Sequence, residues 1–402
     1  YYGLSWMVAT DHGGPNHSKV NREQAYPELL LSRKAVPEVV QFYAMEFDTP
    51  GADHSSMIMP HTHDEAEKLE ELESSFAARD AWPRDPTRNT EPKMIEALEH
   101  MRDMDEPPVV IAHHPSRSAD SIGVYGLDAP AEFRKWNNTA PNVAIGMEGA
   151  PGHQAVVFRA TGDSVTPGPR GAYGRQPTMG GFDQMTARLG GFWDSMLGEG
   201  RHWWITANSD SHVNWREGGA DFWPGEYSKT YVYADRAHDD ILDGIRGGRV
   251  FVTLGDLVSE LWVTAEAGGA EAGIGGELEV SSGSDVQISV RVLDPAGENS
   301  HGDSPEVRRV DVIIGEVHGH LDDPTVDTNP TTAILQRFTR SEWSRDGDYI
   351  VVNVTIPNVG QDMYVRVRGT NGDELEPEND PPTEDPWDDL WFYSNPIFLT
   401  VR

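Results

Sequence analysis

The hydrophobic pattern of the chain changes once, near Gly255, and this change limits the folds that the chain can adopt. Before it, short apolar runs alternate with amphipathic stretches, which is the pattern of βα units around a parallel sheet or barrel. After it, apolar and polar residues alternate with period two, as in the strands of a sandwich. We therefore predict an α/β domain over residues 1–254 and an all-β sandwich domain over residues 255–402.

Each half contains signals for individual elements. The apolar runs of the first half are residues 4–9, 39–45, 109–112, 143–147, 203–207 and 231–234. Between them, a stripe of apolar residues at helical spacing that begins at Leu69 predicts a helix over residues 64–79, and similar patterns predict helices over residues 92–104 and 182–197. The strands predicted in the second half are residues 286–293, 307–314, 349–356, 363–368 and 396–401.

Composition excludes several kinds of partner and site. The chain has 66 acidic and 32 basic residues, a net charge of −34, so we expect neither nucleic acid nor an anionic membrane surface to bind it. It has no cysteine, so any metal must be held by His, Asp and Glu. No apolar run approaches the ~20 residues of a membrane helix. Such acidity is typical of a secreted or salt-adapted protein, which predicts a secreted or periplasmic location, although an ordinary acidic surface has the same composition.

Potential metal ligands follow the apolar runs repeatedly. Five runs are followed by such residues, namely Asp11-His12, Glu46, His113-His114, Glu148 and Asp210-Ser211-His212. In a βα barrel the carboxyl ends of the strands form the face where active sites assemble. His, Asp and Glu together are the donors of multinuclear metal sites. We therefore predict that five strand ends meet at one metal site.

These motifs resemble those of the polymerase and histidinol phosphatase (PHP) family. Ala9-Thr10-Asp11-His12 resembles the second motif of that family, and Glu46, His114-Pro115 and Asp210-x-His212 resemble later ones. The resemblance covers roughly residues 1–253, and the Ser394-Asn395-Pro396 ending is a weaker likeness to longer members. It implies a distorted (β/α)7 TIM-like barrel that binds two or three divalent ions (Zn, Mn or Fe) and hydrolyses phosphate esters.

The resemblance also implies a ligand set. Carried over residue by residue, the metal ligands are His12, Glu46, His114, Asp210 and His212. His54 resembles the histidine that follows the bridging glutamate of the family, but it precedes an apolar run instead of ending one and ranks below the other five. His113 is an alternative to His114, because adjacent residues after a strand point to opposite sides.

One departure from the family pattern concerns its first motif. The family opens with an H-x-H pair at the end of its first strand, and that pair would lie upstream of Tyr1 in this chain. His61-x-His63 has the right internal spacing but lies after the second motif, so we do not accept it as a substitute.

Other residues are assigned roles in the proposed chemistry. Asp210, or a neighbouring histidine such as His114, would move a proton to the leaving group. Arg117 and Lys19 lie in loops where they could hold a phosphate oxygen, and Arg is suited to bidentate contact. Asp11 would hydrogen-bond a ligand histidine. Glu148 either orients a ligand or substrate, or simply lies in a glycine-rich turn that brings backbone close to the site.

Two other functions are compatible with the sequence. The same metal site could hydrolyse a carboxylic or carbamate ester or an amide, and a pocket rich in arginine would favour phosphate whereas an apolar pocket would favour the carbonyl substrate. The other hypothesis is a non-catalytic extracellular binding protein, and absence of the upstream H-x-H pair would favour it. For the enzyme, the expected partner is a small-molecule phosphate ester; the sequence does not determine an oligomeric state.

Overall fold

The computed structural model describes residues 2–152, 173, 175–211, 222–380 and 384–402, and the backbone of residues 158–161 and 164–167. The helices are α1 His17–Val20, α2 Tyr26–Ala35, α3 Glu65–Phe76, α4 Glu91–Arg102, α5 Pro130–Thr139, α6 Gln184–Ala187, α7 Phe192–Gly198 and α8 His238–Arg246. A π-helical turn, Asn21–Ala25, joins α1 to α2, and a 3-10 turn spans Pro86–Arg88.

The strands of the first half are β1 Trp6–His12, β2 Val40–Asp48, β3 His54–Ile58, β4 Val109–Ala112, β5 Ala144–Pro151, β6 Phe158–Thr161, β7 Ser164–Pro167, β8 Trp204–Asn208, β9 Ser228–Val232 and β10 Val250–Leu254. Those of the second half are β11 Glu260–Ala267, β12 Ala270–Gly273, β13 Glu277–Val280, β14 Ser284–Leu293, β15 Arg309–Glu316, β16 Ala333–Thr339, β17 Ser344–Asp346, β18 Tyr349–Val359, β19 Met363–Thr370, β20 Trp391–Ser394 and β21 Ile397–Val401.

The prediction of a (β/α)7 barrel is wrong for the part of the chain that the structure describes. Six strands form one sheet in the order β1-β2-β3-β4-β5-β8, which curves as a half-barrel. Within it, β3 runs antiparallel to both β2 and β4. The physical reason is the short connection over residues 49–53, because a parallel crossover needs about a dozen residues or more and a hairpin needs only a few. The remaining neighbours in this sheet are parallel.

A second sheet crosses the predicted domain boundary. Its main path is β13-β21-β19-β20-β10-β9, and β15 and β16 extend it beyond β19. Strands β9 and β10 precede Gly255, yet β10 pairs with β20 near the end of the chain. The apolar run over residues 231–234 was expected to contribute to a barrel, but it overlaps β9, which pairs with β10 in the eight-stranded sheet. The boundary at residues 254/255 remains a prediction.

A third sheet has the order β12-β11-β14-β18-β17. Strands β11 and β14 alternate between buried and more accessible side chains, so one face of this sheet covers the core and the other faces solvent. Their buried residues belong to the same apolar core as those of the eight-stranded sheet.

Helices α2, α3, α5 and α6 contact strands of the first sheet, whereas α7 contacts the eight-stranded sheet. The helices predicted over residues 64–79 and 92–104 are present as α3 and α4, and Leu69 is fully buried. The helix predicted over residues 182–197 is divided into α6 and α7, because Gly190 has a φ of 70°, in the left-handed region that interrupts a helix. Among the described residues, no helix is both long enough and apolar enough to cross a bilayer.

Candidate metal centre

Side chains from several strands meet at one edge of the six-stranded sheet. The carboxyl ends of β1, β2, β4, β5 and β8 lie at this edge. His12, the last residue of β1, is the register partner of Glu46 in β2. His54 begins β3 opposite Asp48, and because β3 is antiparallel its amino end lies at the same edge. This direction explains how His54 joins the group although it precedes its apolar run.

Glu46 lies at the centre of the group. Its Oε1 atom is 2.8 Å from Nδ1 of His54, 3.6 Å from Nδ1 of His113 and 3.8 Å from Nε2 of His114. The side chain of Asp53 faces the same histidines, with 3.6 Å from Oδ1 to Nδ1 of His54 and 3.6 Å from Oδ2 to Nδ1 of His114. The cluster of Glu46, Asp53, His54, His113 and His114, called here the Glu46 cluster, therefore has three imidazoles between two carboxylates.

Both members of the His113-His114 pair belong to this cluster. Adjacent side chains normally alternate in direction along an extended strand. His114 has a φ of 29°, outside the extended region, so the backbone turns after β4 and both rings approach Glu46. Nε2 of His113 is bound by the hydroxyl of Ser56 at 2.6 Å, which leaves its Nδ1 directed at Glu46. Both histidines therefore lie at the candidate site, and both stay candidate ligands.

Several buried polar atoms in and beside the Glu46 cluster lack hydrogen-bond partners among the described residues. They are Nδ1 of His54, Nδ1 of His113, both ring nitrogens of His114, Oδ2 of Asp48 and Oε1 of Glu148. Most buried polar groups in proteins are paired, and an unpaired group calls for an explanation such as an ion. Imidazole nitrogens and carboxylate oxygens that face one another without hydrogen bonds fit the ligand set of zinc, manganese or iron. The residues present therefore fit divalent metal ions.

Charges in the cluster shift several pKa values. Burial would raise the pKa of Glu46, but the neighbouring imidazoles of His113, His114 and His54 outweigh it and lower that pKa strongly. Burial would lower the pKa of His113, but the carboxylates of Glu148 and Glu46 outweigh it and raise the pKa to about 9. Burial raises the pKa of Glu148 to about 7 and lowers that of His114. The shifts of Glu46 and His113 come from opposite charges that face each other in the site.

A second group, made of His12, Asp48 and His54, already has a cationic partner. Nη2 of Arg79 forms an ion pair with Asp48 and lies 3.1 Å from Nε2 of His54 and 3.5 Å from Nε2 of His12. Nδ1 of His12 is bound to its neighbour, 2.8 Å from the carbonyl oxygen of Gly13. The guanidinium of Arg79 thus stands where a metal ion bound by this group would lie.

Two cavities adjoin the cluster. The smaller, about 280 Å³, is lined by Asp48, Asp53, His54, Asn89 and three arginines, Arg79, Arg84 and Arg117. The larger, about 450 Å³, is lined by His12, Glu46, His113, Asp210 and, on its apolar wall, Trp6, Val8 and Ile111. Arg117 forms an ion pair with Asp53 and is partly exposed. The cluster therefore lies between a cationic cavity and a mixed one.

The other predicted residues are placed as follows. Asp210 follows β8 with a φ of 46°, and its charge acts on His113 and Glu148 across the larger cavity. Glu148 is buried in β5, where its Oε2 accepts a hydrogen bond from the backbone N–H of His114. It therefore fixes the backbone at His114, and its role in orienting a ligand stays a prediction. His212 lies outside the described residues.

Three other candidates lie apart from the cluster. Asp11 is exposed and lines the larger cavity, and its charge acts on His17; its support of a ligand histidine stays a prediction. Lys19 is exposed on α1 and lines neither cavity. His61 lies 3.3 Å from Glu65 and packs against the ring of His238, in agreement with its rejection as part of a substitute H-x-H pair.

Residues not singled out from the sequence complete the site. Asp48 lies two residues after Glu46 on β2, so the two side chains share a face of the sheet. This E-x-D spacing could have identified Asp48 from the sequence. Asp53 directly precedes His54, which was a weaker one. Ser56, Arg79 and Arg84 had no distinguishing signal, because their contacts depend on how the β2–β3 hairpin and the segment after α3 fold back together.

Searches against protein-family models and curated proteins found no match for this chain.

Proposed function

We propose that this chain is a metal-dependent hydrolase that cleaves phosphate mono- or diesters, with a ligand pattern similar to that of the PHP family. The observation that carries the proposal is the Glu46 cluster, whose buried histidines keep four ring nitrogens without hydrogen bonds beside two carboxylates. An arginine-lined cavity lies directly beside it. A metal site and an anion-binding pocket side by side are the two parts that phosphoester hydrolysis needs.

The proposed metal ligands follow from the geometry. Two overlapping groups could hold a divalent ion, Glu46 with His113 and His114, or Asp53 with His54 and His114. Asp210 would add an oxygen ligand or a proton acceptor from the side of the larger cavity. When bound, the ions supply Lewis acidity and activate water near neutral pH. Ions of zinc, manganese or iron suit this mixed donor set.

The arginines would bind the phosphoryl group. Arg117 is held by Asp53, which fixes its guanidinium at the cavity wall, and Arg79 is held by Asp48. Arg84 lines the same cavity. Charge-assisted hydrogen bonds from guanidinium groups to phosphoryl oxygens are short and strong, and they would stabilise the charge that grows on these oxygens during the reaction.

Proton transfer would fall to Asp210 and not to His114. Both ring nitrogens of His114 are directed at carboxylates, which suits a holding role. Asp210 faces the larger cavity, where the organic part of the ester would lie against Trp6 and Val8. From there its carboxylate would accept a proton from the attacking water and return it to the leaving oxygen.

The experiment that tests this proposal combines metal analysis with hydrolysis. Metal content of the purified full-length protein is measured by plasma emission, together with hydrolysis of p-nitrophenyl phosphate and bis-p-nitrophenyl phosphate. We expect His113→Ala and Asp53→Asn to lose both metal and activity. His63→Ala is the matched control, because His63 is a histidine with a side chain 96% exposed.

Two other outcomes would reject the proposal of a phosphoesterase. Metal without phosphoester cleavage, but with cleavage of p-nitrophenyl acetate, would favour the carbonyl hydrolase, to which the apolar wall of the larger cavity is suited. A chain that binds no metal would favour the non-catalytic binding protein.

A further inference from the structure

Three buried side chains meet on one face of the eight-stranded sheet, far along the chain from the Glu46 cluster. Arg366 and Arg368 are two residues apart on β19 and therefore share a face. Tyr393 on β20 is the register partner of Arg368. The arginine side chains are 1% and 0% exposed, and Tyr393 is fully buried.

Each arginine uses only part of its guanidinium. Nε and Nη2 of Arg366 donate to the two carboxylate oxygens of Asp194 on α7, both at 2.8 Å. Nε of Arg368 donates to Asp311 at 3.1 Å, and its Nη2 donates to Glu376 at 2.7 Å. Within the described chain, Nη1 of both arginines and the hydroxyl of Tyr393 have no hydrogen-bond partner. Buried donors without an acceptor are rare and costly.

The charges around these donors do not balance. Arg366 forms one pair with Asp194, and a separate group has three arginines and two carboxylates, namely Arg309, Arg337, Arg368, Asp311 and Glu376. One positive charge is left over in the second group, in which Arg337 and Glu376 are partly exposed. The guanidinium groups of Arg366 and Arg368 repel each other, and both act on Tyr393, so the three groups lie near one another.

Aromatic rings close the region. The ring centre of Trp193 lies 4.8 Å from Cζ of Arg366, that of Trp391 lies 5.4 Å from Cζ of Arg368, and that of Phe182 lies 4.4 Å from that of Tyr393. These rings surround the unpaired donors with apolar surface and add no acceptor for them. The ligand that matches them is small, monovalent and negatively charged.

We propose that a halide ion, chloride in ordinary solution, binds between Nη1 of Arg366, Nη1 of Arg368 and the hydroxyl of Tyr393. The ion accepts three hydrogen bonds, neutralises the excess positive charge and braces the contact of α7 with β19. This site is separate from the proposed metal centre and does not depend on the proposed function.

Anomalous diffraction locates the ion directly. Crystals of the full chain are grown or soaked in bromide, and data are collected at the bromine absorption edge. The expected result is an anomalous peak within about 3.5 Å of the three donors, a usual contact distance for a large anion hydrogen-bonded to N–H and O–H groups. No peak at this position, while bromide appears at surface sites, would overturn the proposal and leave water as the occupant.

Thermal unfolding tests the same site in solution. At constant ionic strength, chloride is exchanged for gluconate, which is too large to enter. We expect the midpoint temperature to rise with chloride by roughly 2 °C per tenfold increase. Tyr393→Phe removes one donor without changing charge and should reduce this dependence several-fold. Tyr349→Phe, which alters a hydroxyl bound to Glu260 on the other sheet, should leave it unchanged. A midpoint indifferent to chloride, or the same dependence in Tyr393→Phe, would contradict the proposal.

Discussion

Replacement of Asp194 by Asn should destabilise the contact between the first half of the chain and the eight-stranded sheet. Asp194 on α7 accepts hydrogen bonds from Nε and Nη2 of Arg366, from the hydroxyl of Tyr364 at 3.0 Å and from the backbone N–H of Gly190 at 2.7 Å. Asn keeps the shape but removes the charge, so the buried guanidinium of Arg366 loses its carboxylate. Breaking one member of a buried pair costs roughly 3–5 kcal/mol.

The measurement is urea denaturation of the wild type and of Asp194→Asn, followed by fluorescence and by far-ultraviolet circular dichroism. Asp373→Asn is the matched control, because Asp373 pairs with Arg308 at the surface, with side chains 89% and 61% exposed, and such pairs contribute about 0–1 kcal/mol. A loss below about 1 kcal/mol for Asp194→Asn would refute the reasoning, since it would mean that Arg366 is not held as a buried charge.

Three further predictions concern the metal centre. Ser56→Ala removes the hydroxyl that fixes the ring of His113, and we expect metal affinity to fall about tenfold in competition with a chromogenic chelator; an unchanged affinity would count against this role. Because the pKa of His113 is raised to about 9, metal binding below that pH must displace a proton from its ring. Metal affinity should therefore rise about tenfold from pH 7 to pH 8 in calorimetric titrations. A metal affinity independent of pH would contradict the assignment of His113 as a ligand. Arg84→Gln should weaken competitive inhibition by inorganic phosphate about tenfold in hydrolysis assays, whereas Arg340→Gln, which alters an exposed arginine that does not line the cavity, should not.

The position of the site could be predicted from the sequence although the barrel could not. The rule that ligands follow strands depends only on the strand ends meeting at one edge, and a half-barrel sheet satisfies it as well as a closed one. The hairpin over residues 49–53 was the missed feature, since it turns β3 antiparallel. The same hairpin explains why His54 lies at the site although it precedes its apolar run. It also explains why the sequence did not point to Asp53 as a candidate.

The period-two pattern of the second half predicted strands but not which of their faces are buried. The strand predicted over residues 363–368 is present as β19. Its alternation of arginine with apolar residues favours one face toward solvent, yet both faces are buried, because α7 of the first half packs on the arginine side. Sequence periodicity gives the local alternation, whereas a contact between residues some 170 positions apart depends on the tertiary fold.

The most direct test of the proposed metal centre is the metal content of the full-length protein after exposure to excess zinc or manganese and removal of unbound ions. We predict at least one tightly held ion per chain in the wild type and in His63→Ala, and its loss in His114→Ala, because His114 belongs to both candidate ligand groups. Retention of the full metal content by His114→Ala, or less than one ion per chain in the wild type, would contradict the account.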